Sequence, residues 1–157
     1  MMQRIAIIAT VVAGLGIGAL WPATRGHTEV SGPAVKNVVL ERSADGHFYA
    51  DAEVNGASVH FLVDTGSTTI ALTEADARKA GIAADPAGYS LIGESASGMV
   101  RGKEEVIDRI AIGGIEQQGV KAAVIEGATT SLLGAEYLDT MDEIVIRRGE
   151  MTLRKAA

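Results

Sequence analysis

Cysteine is absent from the chain, which removes thiol nucleophiles, disulfides and most structural zinc sites from consideration. That absence is neutral about compartment, because a chain without thiols folds equally well in oxidising and reducing surroundings. Histidine is scarce: His27, His47 and His60 lie in different segments without the spacing of metal ligands, and no cofactor is implied. Aromatic residues make up 4% of the chain, and 14 Lys and Arg stand against 20 Asp and Glu, for a formal net charge of −6. With no basic cluster and few rings to stack on bases, the composition argues against nucleic acid as a partner. A length of 157 residues leaves room for one ordinary domain and a short extra segment.

The extra segment is N-terminal. Residues 5–21 are apolar except Thr10, preceded by Arg4 and followed by Pro22. As a helix this run reaches about 25 Å, at the short end of membrane-spanning segments. It reads as a single transmembrane helix over residues 4–21, with Arg4 on the cytoplasmic side and Trp21 at the far interface. A cleaved signal peptide is the rival, but its apolar core is usually shorter, and no small-x-small cleavage site follows Leu20-Trp21-Pro22. Either way the remainder is exported, to the periplasmic or outer face of the inner membrane. Gly14 and Gly18 have the spacing that lets two helices approach closely, although glycine is common in membrane helices for compositional reasons alone. Residues 22–36 mix Pro, Gly, Thr, Ser and charges without period and read as a linker, and residues 37–154 as the folded domain.

That domain reads as short strands punctuated by turns. Val38-Val39-Leu40 starts a strand, Asp45-Gly46 is a hairpin turn, and Asn55-Gly56 is a second one leading into a strand over 58–64, a meander of three strands. Thr73 caps a helix over 74–80, with Glu74 and Arg78 four apart and Gly81 at its end. Residues 82–88 form a loop, and a strand over 89–92 runs into the small, flexible tip Gly93-Glu94-Ser95-Ala96-Ser97-Gly98, from which residues 99–112 return. Gly113-Gly114 marks another hairpin before a strand at 120–125. A helix over 135–141 and a terminal hairpin turning at Arg148-Gly149 complete the chain.

One stretch stands apart. Phe61-Leu62-Val63-Asp64-Thr65-Gly66-Ser67-Thr68-Thr69 is an apolar strand that ends in a carboxylate, followed by hydroxyl residues and a glycine. A carboxylate at the mouth of such a strand loses hydration, a cost that only nearby N–H or hydroxyl donors offset. Gly66 lets the backbone turn sharply beside Asp64, and Thr65 or Ser67 can donate to the carboxylate or to the turn. Together with Ile70-Ala71-Leu72 and the distant Ser131-Leu132-Leu133-Gly134, this pattern resembles the retropepsin-like aspartic proteases, and among them the bacterial, membrane-anchored, single-domain branch. The resemblance covers roughly residues 37–154. It implies an all-β fold: a closed β-barrel lobe with one or two short helices, preceded by the N-terminal transmembrane helix. It implies a catalytic Asp64-Thr65-Gly66 loop crossed by Leu132-Leu133-Gly134. It would also make the hairpin a flap over bound peptide, with Ser95, Ala96, Ser97 and Gly98 as substrate-binding residues; an ordinary surface hairpin is the alternative.

Two-lobed aspartic proteases need about twice this length, and the chain holds one Asp-Thr-Gly and no Asp-Ser-Gly. The other aspartates of the domain, Asp45, Asp51, Asp76, Asp85, Asp108, Asp139 and Asp142, sit in turn, cap or charged contexts and read as solvated. Because the chemistry needs two carboxylates facing one water, a two-fold homodimer that pairs Asp64 with its mate is the economical solution. The expected activity is thus a membrane-tethered aspartic endopeptidase acting on peptide or protein substrates. The alternatives are an inactive module keeping the fold for dimerisation or peptide binding, and an unrelated exported β-domain.

Overall fold

The computed structural model of the chain describes residues 34–95 and 98–156. The expected transmembrane helix at 4–21 and most of the linker lie outside them. Among the described residues no helix is long and apolar enough to cross a membrane.

Alternation dictates the first hairpin. Strand β2 (Tyr49–Val54) buries Ala50, Ala52 and Val54 and exposes Asp51 and Glu53, while β3 (Ala57–Val63) buries Val59, Phe61 and Val63. A one-residue slip would turn every one of these side chains to water, so the register is strongly specified. The expected Asn55-Gly56 turn joins the two strands, with φ of 48° and 88°, the left-handed pair that a two-residue hairpin requires. Asn55 also reaches sideways. Its Oδ1 accepts from the Arg109 N–H at 3.0 Å and its own N–H donates to the Arg109 carbonyl at 2.9 Å, tying the turn to β6 (Gly98–Ile112).

Strand β4 (Ile70–Thr73) is buried along its whole length. It lies between β8 (Ser131–Leu133) and β7 (Ile115–Ile125), and two short helices, α1 (Glu74–Lys79) and α2 (Ala135–Leu138), pack on it. The strand order β2-β3-β8-β4-β7-β6 closes through a second pairing of β2 with β6, at Glu53–Ala111 and Val54–Ile110, into a six-stranded barrel. Closure leaves no free edge in the ring. Phe61, Ile70, Leu72, Ile107, Ile110 and Leu133 belong to its core and are fully buried, each contributing roughly 1.5–3 kcal/mol. Strand β5 (Ser90–Ser95) pairs with the start of β6 and extends the sheet outside the ring. The fold is all-β with a closed barrel and two short helices, as expected.

Three local expectations change. Strand β1 (Val35–Glu41) does not form a meander with β2; an Arg42–Phe48 bridge and a bond from the Ser43 N–H to the His47 carbonyl at 2.8 Å close the expected Asp45-Gly46 turn between them. It pairs instead with β10 (Glu150–Ala156), which pairs with β9 (Glu143–Arg147), giving a separate three-stranded sheet in the order β1-β10-β9. The stretch 82–88 contains a 3-10 turn at Pro86–Gly88, capped by Asp85, which accepts from the Ala87 N–H at 3.0 Å. Helix α2 is four residues long and stops at Leu138.

Candidate active site

The site grows from the end of β3. Asp64 leaves the strand, yet its N–H still donates to the Leu133 carbonyl at 3.1 Å, continuing the parallel ladder of β3 with β8. The chain then folds back on itself: the Gly66 N–H donates to Asp64 Oδ1 at 2.9 Å, and the Ser67 N–H donates to the Asp64 carbonyl at 3.2 Å. The Ser67 hydroxyl serves the turn, donating to the Thr69 carbonyl at 2.9 Å, so the carboxylate's donor is a backbone N–H. Gly66 keeps the turn close to the carboxylate, since a Cβ would stand 3.3 Å from Asp64 Oδ1, and it has no left-handed φ. Asp64 is half-buried, whereas Thr65 and Gly66 are exposed, which leaves the carboxylate within reach of a ligand.

The loop is strapped from below by the segment that was expected to cross it. A Cβ at Gly134 would lie 2.2 Å from the Thr69 carbonyl oxygen and 2.6 Å from that of Ser67, so only glycine lets the two backbones touch. Immediately beyond, the Ala135 N–H donates to the Ser67 carbonyl at 2.8 Å and the Glu136 N–H to the Thr68 carbonyl at 3.2 Å. The first N–H groups of a helix lack partners within it, and α2 has no side-chain cap at Gly134; the loop after Asp64 supplies acceptors instead. Tyr137, fully buried, anchors α2 by donating to the Ile115 carbonyl at 3.0 Å.

The hairpin of β5 and β6 is longer than its sequence indicated. Gly93, Glu94 and Ser95 belong to β5, Ser95 pairs with Gly98, and a register shift interrupts the pairing between Leu91 and Gly93. Ala96 and Ser97 lie outside the described residues. Leu91 and Met99 on the two strands are exposed. At the hairpin's base, a Cβ on Gly102 would stand 2.2 Å from the Val124 carbonyl oxygen, so β6 and β7 meet there at a distance no other residue permits.

Asp76 departs from its expected solvation. It occupies a cap position, as its spacing from Thr73 indicated, but its side chain is only 16% exposed and both oxygens accept hydrogen bonds. Asp45 and Asp51 are by contrast exposed, the first accepting from the Tyr49 hydroxyl at 2.7 Å and the second paired with His60 at 2.7 Å. Among the described residues no group of three or more His, Asp or Glu side chains is placed to hold a metal ion.

Residues 50–140, more than half the chain, match the family model described as "gag-polyprotein putative aspartyl protease". The chain is a member of the retropepsin-like aspartic protease family. The match takes in the Asp64 turn, the hairpin and α2. A retropepsin-like aspartic protease from Rickettsia conorii superposes with a TM-score of 0.67 at 30% identity, covering 80% of this chain and 96% of that one. The protease of EIAV, solved with the inhibitor HBY-793, shares the fold, with a TM-score of 0.50 at 17% identity over 62% of this chain and 89% of its own. Two uncharacterised proteins are similar in sequence. One, from the cobV 5′ region of a Sinorhizobium species, is 36% identical over 76% of this chain and 52% of its own length. The other, from Rickettsia prowazekii (strain Madrid E), is 35% identical over 78% of this chain and 51% of its own. The chain thus spans about half the length of these curated relatives.

Proposed function

We propose that the protein is an aspartic endopeptidase, active as a homodimer and tethered to the inner membrane by its N-terminal segment, with the protease domain on the periplasmic or outer side. The observation that carries this reading is the Asp64 turn: a reachable carboxylate at the end of a strand with one buried face, held by the Gly66 N–H and strapped by Gly134. Each chain contributes one such carboxylate, so the site is complete only when a second copy brings its own. Two carboxylates a few ångströms apart cannot both ionise cheaply, and the pair therefore shares a proton. The ionised member takes a proton from the bound water as its oxygen attacks the scissile carbonyl carbon, while the protonated member donates to the carbonyl oxygen. Collapse of the resulting tetrahedral diol breaks the C–N bond, with a proton passing to the leaving amine.

The homodimer draws further support from the three-stranded terminal sheet. Strand β9 is at its edge, and Ile144 and Ile146 on that strand are exposed, as is Val39 on β1. An uncovered edge bearing isoleucines is a liability that a partner relieves. In this reading the hairpin of β5 and β6 closes over an extended peptide. Confinement to a membrane plane would raise the effective concentration of partners.

The deciding experiment is cleavage of a peptide library across about pH 3 to 8 by wild type and Asp64→Asn, with and without a statine-type inhibitor. Cleavage that disappears in the variant and under inhibitor, while the variant keeps its fold and dimerises, is the expected result. Retained cleavage by Asp64→Asn would overturn the mechanism.

A further inference from the structure

Two buried polar side chains, Thr73 and Ser131, occur among the described residues outside the apolar core, and both donate to the same oxygen. The Ser131 hydroxyl reaches Asp76 Oδ2 at 2.7 Å and the Thr73 hydroxyl reaches it at 2.9 Å. Ser131 also accepts from the Thr73 N–H at 3.1 Å, and Thr73 accepts from the Asp76 N–H at 3.0 Å. Lys79 closes the cluster from outside, 3.0 Å from Asp76 Oδ1. Every donor and acceptor in this knot is partnered, which buried polar groups require if they are not to destabilise the fold.

The knot stands where the sheet is thinnest. The antiparallel pairing of β4 with β8 consists of Ala71 opposite Leu132, and Thr73 lies beyond its end. There the Ser131 hydroxyl takes the N–H that a longer strand would have bonded with a carbonyl. Strand β8 is three residues long, and its last residue, Leu133, accepts from the Asp64 N–H, while the next, Gly134, carries the catalytic loop. Holding Ser131 in place therefore fixes the height and register of the strand on which Asp64 rests.

We propose that Asp76 is a positioning residue for the active site: through the Ser131 hydroxyl it locks α1 to β8 and so holds the Asp64 turn in its productive geometry. The proposal rests on the proteolytic reading for its consequence in catalysis, but not for its consequence in the loop. Small displacements of a reacting group have large effects on rate and smaller ones on substrate binding, since the peptide is gripped elsewhere.

The test compares the full chain with Asp76→Ala, which deletes the shared acceptor, with Asp76→Asn, which keeps one oxygen for both hydroxyls, and with Ser131→Ala, which deletes the strand-side donor and leaves the helix cap intact. Asp76→Ala and Ser131→Ala are expected to lower kcat about tenfold with KM within about twofold, and Asp76→Asn to recover most of the loss. Amide hydrogen exchange gives an independent readout. In both alanine variants the Asp64 and Ser67 amides should exchange about tenfold faster than in wild type, beyond any change at Val120 in β7. A kcat within about twofold of wild type in either folded alanine variant, or exchange that rises equally in the loop and in β7, would overturn the proposal. Should wild type cleave nothing, the proteolytic reading fails, and the exchange data alone decide the latch. Should one alanine variant not fold, the other decides on the same criteria.

Discussion

At Gly134 a single methyl group decides whether the Asp64 loop can be held. An alanine there would meet two carbonyl oxygens of the opposing backbone, neither of which can swing aside as a side-chain tip would. Gly134→Ala is therefore expected to cost about 3 kcal/mol, at the upper end of ordinary overpacking, and to abolish cleavage; urea denaturation followed by circular dichroism measures the first. Asp76 carries a pH signature. Burial pushes its carboxyl up, but the Ser131 hydroxyl, the Lys79 ammonium and the Thr73 hydroxyl together bring it below the ordinary value of 3.8. A lowered value in the folded state means that the stabilisation is present in full above the unfolded value and is lost as pH falls through the folded one. Wild type should thus be more stable than Asp76→Asn at neutral pH, with the difference disappearing well below pH 3.8, as melting temperatures at a series of pH values would show. The Asp64-Thr65-Gly66 turn was legible in the sequence because its chemistry is local. Asp76 was legible only as a helix cap, since nothing in the spacing of Thr73 and Asp76 reveals that Ser131, far along the chain, packs against them.

Among the elements, those read correctly are the ones whose signals lie within a few residues. Asn55-Gly56, Gly113-Gly114 and Arg148-Gly149 adopt positive φ at their turns, and α1 starts at its Thr73 cap and ends by Gly81. Pairing partners were misread where the partner is distant. Val38 and Leu40 have the alternation of a strand, which says that β1 has an inner face and nothing about whether β2 or β10 lies beside it. Helix α2 is held by tertiary contacts: its N-terminus is capped by the loop and its body is pinned by Tyr137. Removing that pin in Tyr137→Phe leaves the Ile115 carbonyl without its donor and should lower stability by about 1 kcal/mol, measurable as a shift of the urea midpoint at unchanged slope. At the base of the hairpin, Gly102→Ala should push β6 from β7; as at Gly134 the obstacle is a backbone carbonyl, so a comparable loss of about 3 kcal/mol is expected from the urea midpoint.

On the scale of the whole molecule, the proposed homodimer makes concentration the test. For a site assembled from two chains, specific activity at high dilution should rise in proportion to protein concentration and level off once the dimer is saturated; activity per chain that stays constant into the monomer range, by analytical ultracentrifugation, would refute a shared site. Ile146→Glu on the exposed edge strand should shift the plateau to higher concentration without changing the plateau value. The sequence by itself determined the all-β character, most turns and the Asp-Thr-Gly loop, because period-two burial, left-handed glycines and a strand-ending carboxylate are properties of neighbouring residues. The tertiary structure alone decided which strands pair to close the barrel, that β1 joins the C-terminal strands, and that Thr73, Asp76 and Ser131 meet. These are contacts between segments tens of residues apart, chosen by which buried faces and unpaired backbone groups can satisfy one another in three dimensions, and no local pattern encodes that choice.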